Sequence, residues 1–552
     1  MSGRSRAAIS TLATGVPGFD AVLGGGLPEF SLNLIVGTPG AGKTTLAHQV
    51  LFALATPARP ALYFTVVGEP TLKMLRYQQQ FTFFDPAAVG GSIRYVDLTE
   101  LVQARDLGAV LAEIIRHVGE VGPGLVAVDS FQAVARAADG AAGHDRMGLQ
   151  EFVQRLAIFL TGWQATTFLI GDAAESELEG DPVRTIADGI IHLTQAVDGN
   201  SVVRKLQVRK ARGVAPMPGL HTFRIDERGV QVYPRMSPAV AERDRAMPQG
   251  RLVSGVPGLD DLLGGGLPAG DTALISGPSG TGKSVLAAQF IAAGAARDEP
   301  GVIAVFEEHP QEYVRRAAAL GVDLPGAVAR GAVEIIYIRP LDLSPDETLQ
   351  AIREAVVRIG ARRVAIDSLT GFEMALAPGF RSDFRESLYR LVSALTGTGI
   401  TVLLTMEIVQ GDELRFSPNA ISFLADNILL LRYAELPGEL RTSLTVIKMR
   451  NSQHSKAFWW YEIAAGGVVV RERVQETRAE PGGRPGLTVS EGLVLGALIA
   501  LDETPLGPLE LRTRITGHEL HAALERLVAL HFAVRVDGDD APRYRAVARA
   551  GD

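Results

Sequence analysis

Residues 254–289 read SGVPGLDDLLGGGLPAGDTALISGPSGTGKSVLAAQ. Residues 14–49 read TGVPGFDAVLGGGLPEFSLNLIVGTPGAGKTTLAHQ, the same pattern at a constant offset of 240 residues. The pentapeptide GGGLP recurs identically at Gly24–Pro28 and Gly264–Pro268. A repeat of this length is a duplicated domain, not a short-period solenoid.

Each copy carries the loop G-x-x-x-x-G-K-[ST] between an apolar run and a helical run. The first spans Gly37, Thr38, Pro39, Gly40, Ala41, Gly42, Lys43 and Thr44, with Thr45 following. The second spans Gly277, Pro278, Ser279, Gly280, Thr281, Gly282, Lys283 and Ser284, with Val285 following. The glycines let backbone N–H groups face phosphate oxygens, and a helix N-terminus favours their charge. Lys43 and Lys283 are placed to reach the β- and γ-phosphates, and Thr44 and Ser284 to help hold Mg²⁺. ATP and Mg²⁺ are the expected ligands.

Outward from the loops, short apolar runs alternate with helical patterns. In the first copy LNLIVG, ALYFTVV, LVAVD and TTFLIG read as buried strands, and KTTLAHQVLFALA as a helix. The second copy matches with TALISG, GVIAVFEE, RRVAID and ITVLLTM. Apolar strands separated by helices predict an α/β fold with a mostly parallel central sheet covered on both faces. The expected divisions are 1–240, 241–474, a Gly/Pro-rich linker at 475–488, and 489–552. In the last segment the order helix, helix–turn–helix, hairpin predicts a small α+β winged-helix-like domain.

The length of 552 residues suits about three to four domains. The chain is 47% hydrophobic and carries a net charge of −8, which argues against a nucleic-acid binder over its whole surface. It has no cysteine, which excludes disulfides, thiolate zinc sites and a cysteine nucleophile. The opening residues lack the apolar core of a signal peptide, and no apolar run is long enough to cross a bilayer. A soluble cytoplasmic protein is expected.

Asp129 and Asp367 close the runs LVAVD and VAID. An acid at a strand end beside a phosphate loop is the expected partner of Mg²⁺. VFEEHP, residues 305–310, places Glu307 and Glu308 at the end of another strand beside the second loop. Carboxylates there can polarise a water or hydroxyl attacking a γ-phosphate, and Glu307 can also serve the metal. The first copy reads TVVGEP at 65–70, leaving one displaced acid, Glu69. The first site is therefore expected to bind nucleotide with slower or differently arranged hydrolysis.

With these residues in view, about residues 10–475 resemble the KaiC family of bacterial circadian-clock ATPases. The lead-in GVPGxDxxLGGGLP, the duplication, FEEHP and IKMRNSQH (447–454) carry the resemblance. It implies two tandem RecA-like P-loop domains stacked as two rings of a homohexamer, with ATP between neighbouring subunits. It implies that the first domain supplies ATPase activity and assembly. It implies that the second can phosphorylate its own serine and threonine, with the paired glutamates as base. Lys448 and Arg450 match the segment that reaches a neighbour's nucleotide. In the first copy LQVRKARG corresponds to that segment, so that Arg209 takes the arginine place and Gln207 the lysine place. Ser422 falls at the family's phosphorylated serine, Phe423 at the adjacent threonine and Ser417 at a third hydroxyl place, so one phosphosite is expected at most. A partner similar to KaiB is implied for the family.

Two other readings remain at this point. A RecA/RadA-like DNA-dependent ATPase would need a basic path, for which VRKARGVAPMPG (208–219) is the candidate. A nucleotide-gated transcription regulator would use the C-terminal domain as its output, but that segment mixes many acids with its arginines.

Overall fold

The computed structural model describes residues 9–66, 71–139, 148–172, 182–198, 201–235, 249–338, 344–376, 384–408, 424–436, 439–450, 452–474, 489–501, 504–513, 515, 517–529, 533–536 and 543–546. The chain forms two compact units, Met1–Arg473 and Val474–Asp552.

The first unit contains two nine-stranded sheets of matching order. In the first, Leu32–Gly37 is central, with Thr166–Asp172 and Gly189–Asp198 parallel on its two sides. Beyond Thr166–Asp172 lie Leu125–Asp129, Ala61–Thr65 and Ile93–Asp97, all parallel. Beyond Gly189–Asp198 the sheet turns antiparallel through Ser201–Ala211, His221–Asp226 and Gly229–Tyr233. The second sheet repeats this plan around Thr272–Gly277. Its parallel side runs through Thr401–Glu407, Arg363–Asp367, Gly301–Val305 and Val333–Tyr337. Its other side runs through Asn427–Leu436, Glu439–Met449, Trp459–Ala464 and Gly467–Arg473.

The parallel strands are apolar on both faces because helices cover both. Leu34, Leu62 and Val126 pack into one layer with Ile114 and Leu156, while Ile35, Tyr63 and Ala127 face the other layer with Leu46 and Val50. The expected fold class of two tandem α/β domains is thus observed.

Both phosphate loops join the central strand to a helix, Lys43–Leu54 in the first copy and Lys283–Ala295 in the second. Gly42 and Gly282 cap these helices in the left-handed region, at φ 98° and 87°. A Cβ on Gly42 would fall 2.4 Å from Ile225 Cδ1, so the antiparallel wing lies tightly over the loop. That wing also faces the second copy, where Arg224 Nε donates to Glu347 at 2.7 Å.

The second unit has helices Val489–Leu501, Leu506–Thr513 and Gly517–Ala529, followed by paired strands Ala533–Val536 and Arg543–Ala546. The element order is the expected one, with a short strand Thr504–Pro505 added to the sheet. Leu498, Leu520, Leu524 and Leu527 form its core. Among the described residues, no helix is long and apolar enough to cross a membrane.

Candidate functional site

The second copy assembles its site at the carboxyl ends of the parallel strands, the edge at which open α/β sheets bind ligands. A cavity of about 520 Å³ is lined by Ser279, Lys283, Ser284, Glu307, Glu308, Tyr313, Arg316, Asp367, Ser368 and Glu407. Lys283 is 9% exposed, and its ammonium donates to the carbonyls of Gly277 at 3.0 Å and Pro278 at 2.7 Å. Burial lowers its pKa, while the charges of Glu407, Asp367 and Glu307 pull the other way. An ammonium held among carboxylates under a glycine loop is suited to meet an anion.

The local sequence explains how Glu307 is placed. The strand Gly301–Val305 ends one residue after Ala304, Phe306 is buried, and Pro310 starts the helix Pro310–Ala319 as its first residue. The two glutamates therefore stand in the short bend between buried Phe306 and the helix start at Pro310. Ser368 Oγ accepts from Gly371 N at 3.0 Å, capping the helix Leu369–Ala375, and donates to Glu307 Oε1 at 2.9 Å. Glu308 instead pairs with Arg316 at 2.6 Å. Burial is the main cause that raises the Glu308 pKa, with Arg316 opposing it.

Glu307 has room only because residue 371 is glycine: a Cβ there would lie 2.4 Å from Oε1. Gly371→Ala is expected to displace the carboxylate and lower turnover about 10-fold, since misplacements of about 1 Å cost up to ~100-fold. Steady-state phosphate release with unchanged ATP affinity is the check.

The first copy arranges the same parts differently. Lys43, 8% exposed, donates to the carbonyls of Gly37 at 3.1 Å and Thr38 at 2.9 Å. It also pairs with Asp172 at 2.6 Å. Thr44 Oγ1 donates to Asp129 Oδ2 at 2.8 Å. Thr38 Oγ1 is buried with no partner among the described residues, an unsatisfied hydroxyl in the loop itself. Burial raises the Asp129 pKa, opposed by hydrogen bonds from Tyr63 and Thr44.

Asp172 and Glu407 escaped the sequence reading. Each ends the strand beside the loop strand, paired with Gly37 and Gly277 respectively. An acid closing an apolar strand at that place was the available signal. Glu69, Ser417 and Ser422 lie outside the described residues.

A family model described as the KaiC ATPase matches residues 12–237 and again 252–475. The chain belongs to the KaiC ATPase family. It is 27% identical over 489 residues to circadian clock oscillator protein KaiC 1 of Synechocystis sp., covering 85% of this chain and 90% of that relative. It is 28% identical over 483 residues to the KaiC of Picosynechococcus sp., covering 84% and 90%. With the KaiC of Thermostichus vulcanus it shares 27% over 503 residues, covering 87% and 93%.

In this KaiC-family chain the strand register revises one pairing between the copies. Ile428 faces Lys448 and Leu429 faces Val446, so Ile447 is bulged out. In the first copy Ile190 faces Lys210 and Ile191 faces Val208, so Arg209 is the bulged residue. The counterparts of Lys448 and Arg450 are therefore Lys210 and Arg212, not Gln207 and Arg209. Partners agree: Arg450 bonds to Asp426 through its backbone and at 3.1 Å through its guanidinium, and Arg212 does the same with Asp188 at 3.1 Å. Lys448 donates to the Ala425 carbonyl at 2.6 Å, and Lys210 to that of Arg184 at 2.9 Å. Arg209 Nε donates to Gln207 Oε1 at 3.2 Å. The first copy keeps both cations. The K-x-R spacing in VRKARG and VIKMRN was the legible sign, masked because the offset has shrunk from 240 to 238 residues by this point.

Proposed function

We propose that this chain is an ATP phosphohydrolase whose second copy carries most turnover while its first copy binds and holds nucleotide. The observation that carries this reading is the placement of Glu307, tied to Ser368 in the cavity that also contains Lys283 and Asp367. Glu307 takes the proton of a water attacking the γ-phosphorus; the bond to the bridging oxygen breaks, and ADP and phosphate leave. Lys283 binds the β- and γ-phosphates and Glu308 is held away by Arg316.

Magnesium fits the donors present. A hydroxyl and a carboxylate oxygen lie 2.8 Å apart at Thr44 and Asp129, and Ser284 and Asp367 line the cavity of the second copy. Hard oxygen donors with phosphate and water completing an octahedron suit this ion. When bound it would neutralise charge on the phosphates.

A ring is the assembly this reading needs. Lys448 and Arg450 do not appear among the described residues lining the Lys283 cavity of their own chain, which supports a role at a neighbour's nucleotide. Membership of the KaiC family supports a signalling or timing role, a partner similar to KaiB, and autophosphorylation at Ser422 as finer parts of the same proposal.

The test follows γ-labelled ATP into released phosphate and protein-bound label. Lys283→Ala is expected to remove most turnover, and Lys43→Ala to retain most of it while reducing the large assembly seen on gel filtration. Label on a peptide containing Ser422 adds the autokinase step. If Lys43→Ala alone removes turnover, the division of labour is reversed.

A further inference from the structure

Two buried hydroxyls from non-equivalent places converge on the two strand-end aspartates. Tyr63 lies in the strand Ala61–Thr65 and is fully buried. Its hydroxyl donates to Asp129 Oδ2 at 2.7 Å, the oxygen that also accepts from Thr44 Oγ1. Its ring stacks on His48 with centroids 4.4 Å apart. In the second copy the matching residue is Ile303, which has no hydroxyl to give.

There Thr405 supplies the group from another strand, Thr401–Glu407. It is fully buried, and its hydroxyl donates to Asp367 Oδ1. The first copy has Ile170 at the matching place, paired with Ile35 as Thr405 is with Ile275. A buried phenol that served only packing would leave a polar atom to be satisfied at some cost, and Phe or Ile would avoid it. Ile303 demonstrates that the strand position accepts an apolar side chain.

We propose that Tyr63 and Thr405 are positioning residues that fix the carboxylates of Asp129 and Asp367 for the metal of a bound Mg–nucleotide. The inference rests on the ATP reading above. Two donors on Asp129 Oδ2 stop the carboxylate from rotating and leave Oδ1 as its open oxygen. The two copies thus reach one arrangement by different substitutions.

The experiment measures ATP binding by calorimetry across a Mg²⁺ series and in EDTA, using the full chain. In a Lys283→Ala chain, which isolates the first site, Tyr63→Phe is expected to raise the half-saturating Mg²⁺ about 10-fold, as losses of groups behind a metal ligand do. ATP affinity in EDTA stays unchanged. In the otherwise native chain, Thr405→Val is expected to raise the Mg²⁺ needed for half-maximal turnover by about the same factor, with kcat at saturating Mg²⁺ within about 2-fold. Tyr63→Ile, the residue of the second copy, must reproduce the Tyr63→Phe shift and guards against a folding defect. An unchanged Mg²⁺ requirement, or an equal loss of affinity in EDTA, overturns the proposal. Absence of any Mg²⁺-dependent ATP binding in the native chain overturns the ATP reading beneath it instead.

Discussion

Glu307→Gln lowers ATP turnover by about 100-fold or more while leaving ATP affinity nearly unchanged, because a positioned general base contributes about 10²–10⁴-fold. The amide keeps the shape of the side chain and its acceptor for Ser368, which bonds to Oε1 at 2.9 Å. It cannot take a proton from water. The effect therefore separates proton transfer from placement, which Gly371→Ala disturbs. Glu308→Gln should cost far less, because Glu308 is engaged with Arg316 at 2.6 Å and its removal leaves Glu307 in place. Single-turnover phosphate release with pre-bound ATP is the deciding measurement. Equal losses for the two variants would mean that the pair acts jointly, and no loss for Glu307→Gln would remove it from the chemistry.

The second large effect concerns acid stability of the first copy. His48 is fully buried on the helix behind the phosphate loop, with Nδ1 2.8 Å from the Thr44 carbonyl. Its ring stacks on Tyr63 at 4.4 Å and on Tyr95 at 6.1 Å between centroids. Burial pushes its pKa down from 6.5 to about 4. The native state therefore holds His48 neutral where the unfolded chain takes up a proton. The associated stability is fully present above pH 6.5 and is lost as pH falls toward about 4. The whole loss is about 3 kcal/mol at ~1.4 kcal/mol per unit. Asp129, raised by burial, works the other way at the acid end of that window, since protonation relieves its own burial cost. His48→Phe isolates the histidine. Hydrogen exchange in Lys43–Leu54, read as the ratio of the two chains, should shift by roughly 30-fold between pH 7 and pH 5, toward poorer protection of the native chain. An invariant ratio would show that the histidine is hydrated or charged in the folded chain.

Much of this protein is written locally. The two P-loops, the strand-end acids Asp129 and Asp367 and the largely apolar parallel strands are contiguous patterns, each dictated by the backbone it must form. A glycine loop capping a helix is legible because only glycine takes φ near 90° at Gly42 and Gly282 without strain. The loss of the glutamate pair in TVVGEP was likewise visible one residue at a time.

What the tertiary structure decided are pairings between distant segments. The antiparallel wing mixes charged and apolar residues without regular alternation, so its strands carry weak periodicity until the loop-side core, through Phe223 and Ile225 over Gly42, fixes which face turns inward. Its bulges set Lys210 and Arg212 against Lys448 and Arg450, a correspondence that a constant offset obscures. Tyr63 and Thr405 could not be matched along the sequence, because the two hydroxyls arrive from different strands of their sheets. Sequence thus determined the chemistry each copy starts from. The fold decided which side chains meet, because hydrogen-bond partners are chosen by proximity across the sheet edge and not by separation along the chain.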